Sequence, residues 1–362
     1  MEEPEPSAYV GRMAPVNFLP TPRVPDPQDA PPLRWGILGT GGIATLFTHA
    51  LKSFSRQDVV AVGSRKDATA RQFAERFDLR RAYGSYDALL ADADVQAVYV
   101  ASPHSEHYAM ADAALRAGKH VLVEKAFTQS QAQAADLAQT ARENHLALME
   151  AMLTRFIPRT DVVRQLLADG ALGELRAVIA DHGQNLPDVP RLHEPALAGG
   201  ALLDLGIYPV SLACFALGLP QRVVGTGSLT STGVDSSVAI SLDRFPDHQA
   251  AQASLYTTLA AKTPTAAIIA GSAARVELDG NAYAPGTVRL VTPAGVSVDS
   301  EQPQLTGHQG LVYEAAHFAQ LVADGLTESP WLPLDETVAI MGVMDDLRAQ
   351  VGTVYPGESP VG

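Results

Sequence analysis

The residues of this chain best suited to chemistry are charged or phenolic groups set into apolar sequence. Val123-Glu124-Lys125-Ala126-Phe127 puts a carboxylate and an ammonium directly after an apolar strand. An ammonium in that place can stabilise alkoxide charge developing on a reacting carbon, or lower the pKa of a neighbouring acid. The plainer alternative is a strand that simply runs out into water. Further on, Asp204 and Tyr208 stand four apart in the apolar run Gly199–Pro209. On a helix they share one face and project from a buried element into a cleft. The plainer alternative is an N-capping aspartate and a core tyrosine. The chemical reading is a phenol that exchanges a proton with a substrate hydroxyl or carbonyl, its pKa lowered by Lys125. Ser102, Pro103, His104 and His107 follow another strand, Ala97–Ala101, in a turn that opens a helix. Ser105 fits a helix N-cap and His107 a first turn, so these histidines are expected to contact cofactor or substrate rather than to catalyse. His182 and His193 fall in loop-like sequence without zinc-ligand spacing, and no metal site is expected.

A cofactor would supply what these side chains lack. Arg34–Ala44, RWGILGTGGIA, runs an apolar strand into Gly39-Thr40-Gly41-Gly42-Ile43-Ala44. This is a G-x-G-x-x-A turn opening a helix. Gly39 permits the tight turn, Gly41 lets backbone approach a pyrophosphate, and Ala44 lets helix and strand pack closely. The phosphates would rest on free N–H groups at the positive end of the helix. The second strand ends at Ser64-Arg65-Lys66, where NAD-binding proteins usually carry a carboxylate for the ribose diol. A hydroxyl and a guanidinium there suit a 2′-phosphate, so NADP is expected over NAD.

These groups need a frame. From 33 to 151, apolar strands (Trp35–Leu38, Val59–Val62, Ala97–Ala101, His120–Glu124, Ala147–Ala151) alternate with helical segments. The pattern implies a doubly wound parallel sheet covered on both faces. From 152 to 355 the helix Asp161–Ala168 leads into a run of strands between Leu175 and Val291, broken by the helix Gly206–Leu217 and closed by helices Tyr313–Asp324 and Leu334–Val351. That run predicts a large, mostly antiparallel sheet, and the whole chain an α/β protein of two domains. Residues 1–32 hold nine of the 25 prolines and are expected to be extended or disordered, or an arm packing on a neighbouring subunit through Tyr9, Val16, Phe18 and Leu19.

Composition narrows the field. A net charge of −14 argues against nucleic acid or an anionic membrane as partner. No run reaches the roughly 18–20 apolar residues of a spanning helix, and no leader segment is evident, so a cytoplasmic protein is expected. The single cysteine, Cys214, sits among Leu212, Phe215 and Leu217 and reads as a buried thiol.

Taken in order, GILGTGGIA, AVGSR, VYVASPHSEHY, GKHVLVEKAF and GGALLDLGIYPV resemble the glucose-fructose oxidoreductase, inositol dehydrogenase and rhizopine-catabolism family (Gfo/Idh/MocA). MEAMLTRFIP at 149–158 and ESPWLPLDETVAIMGVMDDLRAQVG at 328–352 resemble its branch of dimeric dihydrodiol dehydrogenases and NADP-dependent D-xylose dehydrogenases. The resemblance spans about 34–355. It implies an N-terminal Rossmann domain, a C-terminal domain with an open-faced sheet that commonly forms a homodimer or homotetramer interface, and hydride transfer between nicotinamide and the carbinol or carbonyl carbon of a sugar, polyol or dihydrodiol. By resemblance Lys125 is the lysine of a Glu-Lys-Pro motif, Tyr208 the acid/base, Asp204 an orienting acid, and Arg155 and Phe156 lie near the substrate. The family proline is replaced by Ala126, and without proline a cis peptide costs about 2.5–4 kcal/mol, so a trans bond is expected. Alternatives in other classes are a nucleotide-sensing protein without turnover, and a sugar–sugar oxidoreductase that keeps NADP tightly bound beneath the proline-rich arm.

Overall fold

The computed structural model describes residues 19–358. Its first half alternates strand and helix: β1 (Arg34–Leu38), α1 (Gly42–Phe54), β2 (Asp58–Gly63), α2 (Asp67–Phe77), β3 (Arg81–Tyr83), α3 (Tyr86–Leu90), β4 (Ala97–Val100), α4 (His104–Arg116), β5 (His120–Glu124), α5 (Gln131–Glu143) and β6 (Leu148–Ala151). The strands form a six-stranded sheet of order β3-β2-β1-β4-β5-β6, parallel throughout. Their apolar runs are continuous because helices cover both faces. Trp35, Phe47 and Tyr99 are fully buried at the centre, with Phe47 stacked on Tyr99. The Trp35 indole N–H donates to Gln57 Oε1 at 2.9 Å, which satisfies the one polar atom that ring brings inside.

The second half begins with α6 (Pro158–Ala168) and β7 (Leu175–Gly183), then α7 (Ile207–Leu217), β8 (Arg222–Leu229), β9 (Asp235–Phe245), β10 (His248–Thr258), β11 (Ala267–Gly271), β12 (Arg275–Leu278), β13 (Arg289–Val291), β14 (Ser297–Asp299), α8 (Leu311–Ala323) and α9 (Leu334–Val351). Its eight-stranded sheet runs β14-β13-β12-β11-β7-β10-β9-β8, antiparallel except for the central β7–β10 pair. Alternation along the strands is clear in β9 and β10, as expected for a sheet with one covered face. α7 and α9 pack against this sheet, while Ile179 and Tyr256 stand exposed. α9 also packs on α5, and α8 on α1, so the two halves share a contiguous core.

Several details depart from the sequence reading. The three-residue strands β3 and β14 were not expected. β7 continues through His182, which therefore lies in a strand and not in a loop. Its continuation is set by pairing with β10, where His182 stands opposite Thr257. A π-helical turn, Leu202–Gly206, precedes α7. The stretch Pro195–Leu217 is apolar and long enough to cross a bilayer, but it is buried as a core element. Of the proline-rich segment, residues 19–32 pack on their own chain: the Arg23 N–H donates to Asp161 Oδ2 (2.7 Å), the Gln165 side chain donates to the Thr21 carbonyl (2.9 Å), and Leu19 rests on the core. Tyr9, Val16 and Phe18 lie outside the described residues.

Candidate active site

An open cleft of about 470 Å³ runs from the turn after β1, past the ends of β4 and β5, to the π turn and β7. Its floor is set by backbone. Gly39 has φ +113°, and a Cβ there would lie 2.5 Å from the Ala101 carbonyl oxygen, so glycine is required. At Gly41 and Gly42 a Cβ would meet nothing within 4 Å: bare peptide at the start of α1 faces the cleft. That opening, with the free N–H groups of the first turn, fits a pyrophosphate. Ile43, Ser102, Pro103 and His104 line the same wall, whereas Thr40 sits at the turn and Ala44 is buried on the inner face of α1. Ser64 is nearly buried at the end of β2, where its hydroxyl accepts the Lys66 N–H. Arg65 and Lys66 are exposed beside it, without an ion pair among the described residues.

The two histidines of α4 are structural in their contacts. His104 Nδ1 lies 3.0 Å from the Ala198 carbonyl, and His107 bridges the Ala126 and Ser102 carbonyls at 2.9 and 3.0 Å. Burial drops both pKa values, to about 3 and about 4, so as isolated groups they are neutral. A neutral ring has one N–H, so one of the two His107 contacts lacks a proton in either tautomer.

Lys125 follows β5. Its peptide bond to Ala126 is cis, which corrects the expectation of a trans bond. The physical context is a fully enclosed one: Ala126 is buried, its carbonyl faces His107, and the next N–H, of Phe127, donates to Glu150 Oε1 at 3.1 Å. Glu124 turns inward, accepting from the Tyr99 hydroxyl and from the Lys125 N–H (3.2 Å). Burial pushes the Glu124 carboxyl up, and Glu150, also buried, up to about 7. Glu314 on α8 belongs to the same buried acidic group; neither of its oxygens has a partner among the described residues, and its pKa is raised by burial and by Glu124 and Glu150.

The Lys125 ammonium donates to the Asp204 carbonyl oxygen at 2.6 Å and lies 3.5 Å from its carboxylate. The same carboxylate accepts from Arg191 Nη2 at 3.0 Å. Although burial opposes ionisation, Lys125 and Arg191 together hold Asp204 below the usual carboxylate range. Lys125 Nζ lies 5.0 Å from the centre of the Tyr208 ring. The structure thus brings Lys125, Asp204 and Tyr208 together. It corrects one expectation: the Tyr208 phenol is raised well above its ordinary value. Burial is the main cause, and Glu124 and Asp204 add to it, while the nearby ammonium is engaged by Asp204.

Arg155 and Phe156 do not reach the cleft. Arg155 is buried, donating to Ser211 and, at 2.6 Å, to Glu336, while Phe156 packs by His317 and Trp331. The sequence reading passed over Gln184, Arg191, Tyr283 and His308, all of which line the cleft. Tyr283 stacks on His182 (4.6 Å, 11°), and His182 in turn leans on Tyr208. Tyr283 sits between strands in a segment with no periodicity, so only the assembled fold identifies it. No group of residues with metal-binding geometry occurs among the described residues. Cys214 is buried, its thiol pushed up to about 12, and is inert.

Comparison with known proteins identifies the family. Residues 33–152 match an oxidoreductase family with an NAD-binding Rossmann fold, and 160–277 match the GFO/IDH/MocA C-terminal domain. The trans-1,2-dihydrobenzene-1,2-diol dehydrogenase of Homo sapiens is 34% identical over 334 residues, covering 90% of this chain and 98% of its own. That of Danio rerio is 34% identical over 335 residues, with 90% and 99% covered. A 3-ketoreductase from Actinomadura kijaniata, solved with NADP and TDP-benzene, superposes with a TM-score of 0.78 at 29% identity, covering 90% of this chain and 99% of that one. An aldose–aldose oxidoreductase from Caulobacter crescentus shares the fold (TM-score 0.78, 24% identity, 88% and 97% covered). The chain belongs to the Gfo/Idh/MocA oxidoreductase family and carries its nicotinamide-nucleotide-binding domain.

Proposed function

We propose that this member of the family is an NADP-dependent oxidoreductase of a sugar, polyol or dihydrodiol, with Tyr208 as acid/base and Lys125 as its electrostatic partner. The reading assigns 33–151 to the nucleotide and 152–355 to substrate and assembly. The observation that carries it is the convergence of Lys125, Asp204 and Tyr208 at the far end of a cleft that begins at the bare Gly41-Gly42 turn. When bound, the nicotinamide gives or takes the hydride at its C4. The chain's own part is to hold the reacting C–O group. The first turn of α1 would hold the pyrophosphate, and Ser64, Arg65 and Lys66 the 2′-phosphate. Tyr208, on the first turn of α7, presents its hydroxyl to the substrate oxygen. It gives that oxygen a proton in reduction and takes one in oxidation. Lys125, fixed by the Asp204 carbonyl, places positive charge where the oxygen becomes negative. Tyr283, stacked on His182, forms one side wall of the site. The exposed face around Ile179 and Tyr256 suits a homodimer or homotetramer contact.

The test is NADPH formation or consumption with a panel of aldoses, cyclic polyols and a dihydrodiol, offered with NADP and with NAD. Turnover that falls 10²–10⁴-fold in Tyr208→Phe and in Lys125→Ala, with NADP affinity retained, supports the assignment. Tight NADP binding with no turnover of any member, in either direction, would refute it.

A further inference from the structure

Arg191 is a charged residue of the cleft that the proposed hydride transfer does not use. It stands on a short turn, Pro190–His193, in the irregular segment joining β7 to the π turn. One N–H of its guanidinium is spent on Asp204 (Nη2 to Oδ1, 3.0 Å). The remaining donors have no partner among the described residues, and the side chain is 46% exposed toward the cleft. A salt bridge of this shape orients the planar group while leaving an edge free, and a free guanidinium edge matches a carboxylate in bidentate fashion.

The charge balance of the cleft points the same way. Two cations, Lys125 and Arg191, share one carboxylate, Asp204. The other acid on the wall, Glu124, faces inward onto Tyr99 and the Lys125 N–H, and burial disfavours its ionised form. The histidines, His104, His182 and His308, are all lowered by burial and carry no charge at neutral pH. With Glu124 turned away onto Tyr99, the charged side chains presented at the substrate end are two cations and one carboxylate, in a chain whose net charge is −14. A local positive field inside a globally acidic protein does not come from bulk composition. It is built by where Arg191 is placed, and the low-dielectric walls of a cleft concentrate it.

We propose that Arg191 is a specificity-determining residue that selects substrates bearing a carboxylate, so that the carbohydrate taken at this site is a sugar acid rather than its neutral counterpart. The inference rests on the reading above in that the substrate's reacting hydroxyl lies between Lys125 and Tyr208. The carboxylate then meets the free edge of Arg191, and Asp204 keeps the guanidinium in plane. Asp204 acts here as the orienting anion for both cations.

The experiment measures binding to the full chain already saturated with NADPH, by calorimetry, using D-glucose against D-glucuronate and D-galactose against D-galacturonate. In the unaltered protein the acid of at least one pair is expected to bind about tenfold more tightly than the neutral sugar, with a preference that shrinks as salt is added. In Arg191→Gln the acid-to-neutral ratio falls to about one, and in Arg191→Lys part of the preference returns. Damage that merely loosened Asp204 or Lys125 would weaken both members of a pair and leave their ratio intact. Equal or better binding of the neutral sugar in both pairs, binding of none of the four, or an acid preference that survives Arg191→Gln would each overturn the proposal. Turnover of neutral sugars without acid preference ends this inference and leaves the oxidoreductase reading standing. Acid-selective binding without turnover of any ligand does the reverse.

Discussion

Replacing Glu314 should stabilise the protein, and by an amount that grows with pH. The side chain is fully buried on α8, neither carboxyl oxygen has a partner among the described residues, and Glu124 and Glu150 lie close enough to raise its pKa further. Two costs can be separated. The first is the desolvation of an unpaired polar group, about 1–3 kcal/mol even when it is neutral. The second is linkage. A carboxyl whose folded pKa lies above its unfolded value, 4.5, holds its proton longer in the native state. Stability is then fullest below pH 4.5 and falls as pH rises toward the folded pKa, by up to about 1.4 kcal/mol per unit. Glu314→Leu removes both costs and Glu314→Gln only the second. At pH 4.5 the leucine variant should exceed the parent by about 1–2 kcal/mol after some loss to imperfect packing, and the glutamine variant should match it. Above pH 4.5 both should gain further on the parent as pH rises, at up to about 1.4 kcal/mol per unit until the folded carboxyl ionises. Urea unfolding of the three proteins from pH 4.5 to 8, at one protomer concentration, reads these differences. A leucine variant less stable than the parent, or a gap that stays constant with pH, would mean that the carboxyl is paired or solvated in the native protein, and the reasoning would fail.

The raised Tyr208 phenol makes the pH dependence directional: kcat/KM for carbonyl reduction should stay level from pH 6 to 9, because the proton to be given is present. That for oxidation should climb through this range toward pH 10; an oxidation profile that levels off below pH 8 would contradict the burial argument. Arg65→Ala should raise KM for NADP about tenfold and leave NAD nearly unaffected, since the guanidinium is exposed and its contact with a 2′-phosphate is partly screened. Equal losses for the two cofactors would move the 2′-phosphate elsewhere. Gly39→Ala combines a backbone at φ +113° with a Cβ 2.5 Å from the Ala101 oxygen, and should cost about 2–4 kcal/mol in thermal unfolding together with NADP binding.

Much of the frame was legible because buried parallel strands write themselves as short apolar runs. β1, β5 and α9 fall where the sequence places them to within a residue. The short strands escaped notice: β3, Arg81–Tyr83, has no apolar run, and β14 is three mostly exposed residues defined by its pairing with β13. In the site, Lys125 and Tyr208 stood out as charge and phenol in apolar surroundings. Arg155 stood out equally by motif, yet its partners Ser211 and Glu336 lie 56 and 181 residues away, and they take it into the core. Arg191 and Tyr283 come from segments with no period to read. Their roles depend on what β7, the π turn and the β12–β13 connection bring beside them.

The Asp204–Tyr208 spacing shows how a correct expectation can rest on an incomplete cause. Four residues on an α-helix share a face, and that argument foresaw a common cleft. The chain at 202–206 is instead a π turn, whose bonding skips to the fifth residue. The difference has a chemical consequence, because the Asp204 carbonyl receives the Lys125 ammonium at 2.6 Å. The turn is held open from outside. Asp235, buried on β9, accepts the Leu202 N–H at 2.6 Å and the Thr353 hydroxyl at 3.2 Å, and Gly206 sits where a Cβ would be 3.1 Å from Thr257 on β10. The second sheet therefore fixes the geometry of a lysine that belongs to the first. Neither half holds the site alone: β5 delivers the cation, the π turn supplies the carbonyl and carboxylate that aim it, and β9 and β10 set that turn.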